Sequence, residues 1–409
     1  MLLHALVTAL VLALGLSLGL TPAAATLGAL AFAVHPVHVE AVANVAGRAE
    51  LLSTAFALAA LCVYARARRT DEPFPTSAAL ALAVLLGCAA FAKENVVTIV
   101  GVVGLWEIQH VKRVRDAARP VVAALAPVVF YITARWLVLG GVGLVPGAVT
   151  PIENPVVGLS PLSHAATVLA VFGRAASLIL TPVRLSPDYG YAEFEPWPSL
   201  LTFGPLVGAT VLLALLATIA ASWRRAPLVA FLIASALVTY AITSNIVIQI
   251  GTVLGDRLLY LPSVFACLLA GIATAVAAQH LGRKTMYGAA GAILALLAAR
   301  SHAYAQKWKD DATLFEYASR VAPNSVRNLG SWGVVLAERG RLPEARAVFD
   351  RAVVLAPDFI PNRLNRGAAA LAAGELDIAA TDARHVLELA PDNPEAKRLL
   401  DEVERRRFP

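Results

Sequence analysis

Residues 35–50 read HPVHVEAVANVAGRAE: two histidines, two glutamates and an arginine lie between an apolar run at 23–34 and another that continues to residue 65. Polar groups in such a setting are costly unless they face a protein interior or water. The stretch is therefore a candidate site, and the runs around it decide the fold. The chain of 409 residues is 58% hydrophobic and 15% charged, with a mean hydropathy of +0.69. Such values describe a polytopic membrane protein. The net charge of +6 comes from short basic clusters between apolar runs, which is the pattern of topology signals and argues against a nucleic-acid surface. Cys62, Cys88 and Cys267 all sit inside apolar runs without metal-type spacing, so they read as packing residues.

Working outward, the first apolar run begins at Met1 and is read as a retained membrane helix, because no basic residues precede it and a second apolar segment follows at once. The run at 23–34 ends at His35-Pro36, since proline cannot continue the helix. Further runs occupy 49–65, 76–92, 96–110, 119–140, 164–182, 200–222, 226–248, 257–280 and 285–300. Basic clusters at Arg66, Arg68 and Arg69, at Lys112, Arg113, Arg115 and Arg119, at Arg224 and Arg225, and at Arg283 and Lys284 mark the cytoplasmic ends. Arg119 and Arg224 share that side only if an even number of spans separates them. The run at 164–182, with His164 at its start and Arg174 at its middle, is therefore expected to be interfacial or re-entrant. The expectation is about nine spans and one partial helix. Residues 35–48, Lys93 and Glu94, the segment RLSPDYGYAEFEPWP and the turn at 251–257 then meet on the outer face.

Beyond residue 300 the sequence becomes charged and alanine-rich, and an Ala-Pro pair recurs at 322, 356 and 390, a period of 34 residues. Trp332, Gly333, Ala345, Phe349 and Ala352 occupy the small and large positions of a tetratricopeptide helix pair, and Gly367, Ala379 and Pro391 repeat them. The predicted architecture is all-α: a multi-span membrane domain over 1–300, then a tetratricopeptide-repeat solenoid over 308–409. Such a tail is a peptide-binding surface more often than a catalytic one.

Several motifs carry a family resemblance: HPVHVEAVANVAGRAELL at 35–52, AKEN at 92–95, LTPVRLSPDYGY at 180–191, GDRLLYLPS at 255–263 and WKDDATLFEYASRVAPNS at 308–325. With them the chain resembles the transmembrane and tetratricopeptide-repeat-containing (TMTC) protein O-mannosyltransferases, and in particular bacterial relatives of that family. The resemblance implies a GT-C-like membrane domain that moves a sugar from a polyprenyl-phosphate donor to a protein acceptor outside the cytoplasm, with the tail recruiting the acceptor. A bacterial inner-membrane location follows from it. The implied partners are membrane lipid, the lipid-linked sugar as co-substrate, and protein, with a divalent metal as an optional cofactor. In GT-C enzymes the main catalytic acid lies in a first outer loop. This chain is expected to start inside the helix after that loop.

The resemblance and the local chemistry together single out candidates, each with a plainer structural alternative. Glu40 is the best placed carboxylate, for acceptor positioning or metal contact, or else a helix-start carboxylate. His35 and His38 are candidate metal or phosphate ligands beside it, or simply end a helix. Arg48 and Glu50 offer a phosphate-binding cation with its partner, or an ion pair at the mouth of a span. Lys93 and Glu94 suit a donor phosphate, or a lysine reaching for the interface. Asp188 and Tyr189 match a position expected to contact carrier or acceptor, or are turn residues. Asp256, Arg257 and Tyr260 place a cation beside an aromatic where the chain re-enters the membrane, which suits a lipid phosphate. Arg135 and Arg174 are weaker candidates. The alternative function is a non-catalytic membrane scaffold displaying the repeats; a transporter is a third reading.

Overall fold

The computed structural model describes residues 1–70, 72–110, 113–141, 149–246 and 248–408. Lys112 and residues 142–148 lie outside that set. Twelve helices form the membrane part: α1 (Leu2–Ser17), α2 (Pro22–Val34), α3 (Val39–Ala43), α4 (Arg48–Ala67), α5 (Thr76–Ala92), α6 (Ile99–His110), α7 (Val114–Leu139), α8 (Pro161–Leu180), α9 (Phe203–Ser222), α10 (Pro227–Ala241), α11 (Tyr260–Leu281) and α12 (Arg283–Ala305). Six more follow: α13 (Asp311–Val321), α14 (Val326–Glu338), α15 (Leu342–Leu355), α16 (Ile360–Ala372), α17 (Leu376–Leu389) and α18 (Pro394–Arg407). The all-α class expected from the sequence is observed.

The span count differs from expectation. Among the described residues five helices are long and apolar enough to cross a membrane, or six if the bent pair Pro22–Val34 and Pro36–Ala43 counts as one span. Leu2–Ser17, Thr76–Ala92 and Pro227–Ala241 are apolar but shorter. The run at 164–182, expected to be interfacial or re-entrant, forms one unbroken helix of 20 residues, α8, which by length and composition is among the five. A break lies in 22–43, where the chain bends by 50°. Pro36 enforces it: His35 is extended at the end of α2, and Pro36 opens a short turn whose first N–H would have no partner in any case.

One apolar core runs through α1, α2, α4, α5 and α11 and includes Leu14, Phe32, Leu58, Leu82 and Phe265. Lipid tails are as apolar as leucine, so helices in a membrane associate through close packing and small residues. Gly271 shows this on α11: a Cβ there would stand 2.1 Å from the carbonyl oxygen of Ala24 on α2. A second apolar cluster, with Val37, Leu185, Tyr189, Leu259 and Tyr304 buried in it and Trp308 and Tyr317 packed against it, joins the polar islands to the start of the tail.

In the tail, α14, α16 and α18 start at Val326, Ile360 and Pro394, and α15 and α17 at Leu342 and Leu376, each 34 residues after its predecessor. Gly333 faces the ring of Phe349, and Gly367 faces Leu399 and Asp382, so both glycines sit at the close contacts expected of them. A Cβ at Gly367 would lie 2.7 Å from Leu399 Cδ2. Gly367→Leu should therefore overpack the α16–α18 contact and cost ~1–3 kcal/mol, read as faster hydrogen exchange in α16–α18 of the intact protein. Unchanged exchange there would refute the register.

Candidate functional site

The polar islands converge, although their pairings differ from those expected. Glu40 is fully buried on α3, and both its oxygens are engaged by one residue: the Arg257 backbone N–H donates to Oε2 at 2.9 Å and Arg257 Nη1 to Oε1 at 2.5 Å. The Arg257 side chain is 33% exposed. A buried carboxylate thus holds a cation by its backbone and its head together, 217 residues apart in sequence. The fold-back that presents Glu40 depends on Gly47, where a Cβ would meet the Ala41 carbonyl oxygen at 2.3 Å.

The expected pairing of Arg48 with Glu50 is not formed. Arg48 is exposed, while Glu50 is fully buried on α4 and binds Lys93 and the Asn95 side-chain amide, the latter at 2.9 Å. Residues two apart on a helix point to different faces. Glu94 is exposed.

His35 and His38 do not form the expected ligand set. For His35, Nε2–H donates to the Ile179 carbonyl at 2.8 Å and Nδ1 accepts the Val37 N–H at 3.3 Å. For His38, Nδ1–H donates to the Phe32 carbonyl at 2.7 Å and Nε2 faces the Ser263 hydroxyl at 2.8 Å. All four ring nitrogens are occupied by the protein. Among the described residues no group of three or more His, Cys, Asp or Glu side chains is placed to hold a metal ion, so the metal contact offered for His35, His38 and Glu40 finds no ligand set. Tyr260 is buried too, and its hydroxyl donates to His4 Nδ1 at 2.8 Å, while His4 Nε2–H donates to the Ala33 carbonyl.

Asp188 and Tyr189 hold structure together. Asp188 Oδ2 accepts from the Gly190 N–H at 2.9 Å and from the Ser325 hydroxyl of the tail at 2.7 Å. Asn328 of α14 donates to the Ser186 hydroxyl at 3.3 Å, and the Tyr317 hydroxyl donates to the Leu185 carbonyl at 3.0 Å. The loop at 185–190 is thus the seat of the tail. Tyr189 is buried and donates to Asp256 Oδ1 at 2.7 Å. Burial and the Asp256 carboxylate push its phenol well above the ordinary range, so it remains a donor. Arg174 donates to the Arg184 carbonyl at 3.0 Å and lies over the Tyr189 ring, and Arg135 reaches the Tyr131 hydroxyl at 3.2 Å.

Two cavities abut this constellation. An apolar groove of about 550 Å³ runs between α2, α8, α10, α11 and α12, lined by Leu27, Ile179, Ala270 and Leu294, and reaches His35 and Pro262. A more polar cavity of about 450 Å³ lies beyond, bounded by Glu40 and Arg257 on one side and by Trp308, Asn328 and Asn365 of the tail on the other. The His35–Glu40 loop and the Arg257–Pro262 turn serve both, giving His35, Leu259 and Pro262 to the groove and Glu40 and Arg257 to the cavity.

Several residues of this arrangement were not singled out from the sequence: His4, Asn95, Ser263, Ser325, Asn328, and the buried pair Asn154 and Asn245, which hold the 245–254 loop through a 2.8 Å hydrogen bond and the Ile250 carbonyl. A polar residue inside an apolar run was the available signal for His4. The rest look like ordinary loop and cap residues until the fold brings them together.

Fold and site together define an all-α integral membrane protein whose helical tail is docked onto a polar cavity at one end of the membrane helices. Protein O-mannosyl-transferase F38B6.6 of Caenorhabditis elegans is 27% identical over 331 residues, covering 80% of this chain and 45% of its own length. Human protein O-mannosyl-transferases TMTC4 and TMTC3 are 26% and 25% identical over 78% and 83% of this chain, and over 47% and 40% of their own lengths. The resemblance to the TMTC family is thus borne out along most of the chain, which spans less than half the length of these curated relatives. No protein-family model matches the chain, and no solved structure does.

Proposed function

We propose that the chain acts as a glycosyltransferase on proteins, moving mannose or a similar sugar from a polyprenyl-phosphate donor to an acceptor hydroxyl outside the cytoplasm. The observation that carries this reading is that one loop and one turn serve both an apolar groove, through His35, Leu259 and Pro262, and a polar cavity, through Glu40 and Arg257. An isoprenoid chain suits the groove, a phosphate at the edge of the polar cavity suits the Arg257 guanidinium, one-third exposed, and an acceptor segment suits the cavity roofed by the tail, read here as a tetratricopeptide domain. In a GT-C-type reaction the acceptor oxygen bonds to the anomeric carbon as the bond from that carbon to the carrier phosphate breaks, and the hydroxyl proton passes to water. The charge left on the phosphate would meet Arg257, already oriented by Glu40 and needing little reorganisation. The arginines at 66–69 lie at the far end of α4 from Glu50, which supports a non-cytoplasmic position for the site and the tail.

Both Glu40 oxygens are committed to Arg257, and this favours keeping the scaffold as a second reading. The test is transfer of radiolabelled mannose from a polyprenyl-phosphate carrier to protein in membranes containing the chain. Label on protein that falls with Glu40→Gln, at unchanged protein abundance, supports the enzyme. A chain that holds protein on its tail yet neither binds nor uses the carrier is a scaffold.

A further inference from the structure

Three arginines close α4, and the fold uses them differently. Arg68 goes to the buried Glu107 carboxylate, its Nε donating to Oε1 at 2.8 Å and its Nη2 to Oε2 at 2.6 Å, and Tyr64 donates to the same group. That charge is answered inside the protein. Arg66 and Arg69 are three apart, in a turn that the Arg69 N–H continues by donating to the Arg66 carbonyl at 3.2 Å, so they share a face. They border a crevice of about 250 Å³ whose apolar side is Ala9, Leu12, Ala13 and Leu16 of α1.

Arg69 Nε donates to the Ser17 carbonyl at 3.1 Å and Nη2 to the Leu16 carbonyl, which caps the C-terminal end of α1. A guanidinium carries five N–H groups, and these bonds use two. Capping does not account for Arg66, which is exposed and makes no hydrogen bond or ion pair among the described residues. Among those residues no carboxylate and no aromatic ring lines the crevice. An anion there meets two cations, while an ammonium headgroup finds nothing to hold it.

The position narrows the anion. The crevice lies at the end of α4 away from Glu50, on the face that the basic clusters mark as cytoplasmic. From the arginines it continues onto Leu16, 38% exposed, and one turn further along α1 onto Leu12. A wall that changes from basic to apolar along a membrane helix matches a phosphate with an acyl chain attached. Basic pockets between membrane helices on this side are sites for anionic headgroups.

We propose that the crevice binds an anionic phospholipid of the cytoplasmic leaflet, its phosphate between Arg66 and Arg69 and an acyl chain along Leu16 and Leu12. This lipid is separate from a carrier in the apolar groove. It joins α1 to α4 at the leaflet opposite the tail, and the site stands whether or not the chain transfers sugar.

The experiment is native mass spectrometry of the intact chain in detergent, with phosphatidylglycerol and phosphatidylcholine of equal acyl chains in competition. The unmodified protein should retain phosphatidylglycerol. Arg66→Gln/Arg69→Gln should lower that preference about tenfold to thirtyfold, and Arg66→Gln alone, which breaks no contact within the protein, about fivefold. Arg224→Gln/Arg225→Gln removes the same charge from the same face and should leave the preference unchanged. Equal losses in the two double variants would show diffuse attraction to a basic surface and overturn the site. An unmodified protein that holds both lipids alike, or an unchanged preference in Arg66→Gln, overturns it too. If Arg66→Gln/Arg69→Gln does not fold, Arg66→Gln against the Arg224 and Arg225 control decides. Inorganic phosphate that displaces phosphatidylglycerol as readily as the lipid itself at equal concentration would reveal a site for the free anion, and the lipid assignment would fall.

Discussion

Arg257→Leu alone should cost about 3–5 kcal/mol of stability, and Glu40→Leu/Arg257→Leu should return most of that loss without returning binding of a lipid phosphate. The reason is that Glu40 is fully buried and, among the described residues, takes its hydrogen bonds from Arg257 alone. Removing the arginine leaves a charge in a poorly solvated place, with only a backbone N–H to answer it. Removing both leaves an apolar contact of similar size, which is often as stable as the pair. Thermal unfolding in detergent reads the first effect, and polyprenyl phosphate binding the second. A single variant as stable as the parent would show that Glu40 is not held as described; a double variant that still binds phosphate would show that the cation is elsewhere.

Gly271→Ala should be as damaging, at about 3 kcal/mol or more, although it adds one methyl group. Overpacking usually costs ~1–3 kcal/mol because a neighbouring side chain can shift. Here the new Cβ would stand 2.1 Å from the Ala24 carbonyl oxygen and 2.8 Å from the Gly28 nitrogen, both backbone atoms of the facing helix. No rotamer relieves that, so α2 and α11 must part. Those helices lead into the His35–Glu40 loop and out of the Arg257 turn, and their separation should strain the Glu40–Arg257 pair as well. Cys267, buried on α11 beside the crossing, should become open to maleimide. Melting and Cys267 labelling that match the parent would sink the proposed crossing.

The convergence of the islands was legible in the sequence because polar residues between apolar runs have few places to go. The partners within it were not. Arg48 and Glu50 looked paired because they are close along the chain, but the helix turns them apart and gives Glu50 to Lys93, 43 residues on. His35 and His38 looked like ligands because imidazole is versatile, but carbonyls at the ends of two helices, Phe32 on α2 and Ile179 on α8, claim a nitrogen of each. The interfacial or re-entrant reading of 164–182 rests on the shared side of Arg119 and Arg224 and on Arg174, which the fold accommodates by stacking it on Tyr189 within an intact helix. The repeat register survived unchanged, since it depends on small residues facing large ones at a fixed period and on no distant partner.

The tail is held at one end. Its hydrogen bonds and ion pairs to the membrane part, among the described residues, reach only α13, α14 and the turn between them, through Tyr317, Asn324, Ser325, Arg327 and Asn328. The helices from α15 onward form a cantilever on that clamp. A small rotation at α14 is multiplied along the stack, so the surface of α18 sweeps an arc while that beside Asn328 barely moves relative to Arg257. On the proposed function, such a lever arm would bring different stretches of a flexible acceptor in turn to a fixed point, and adding or removing distal helices would change its reach while leaving the clamp intact.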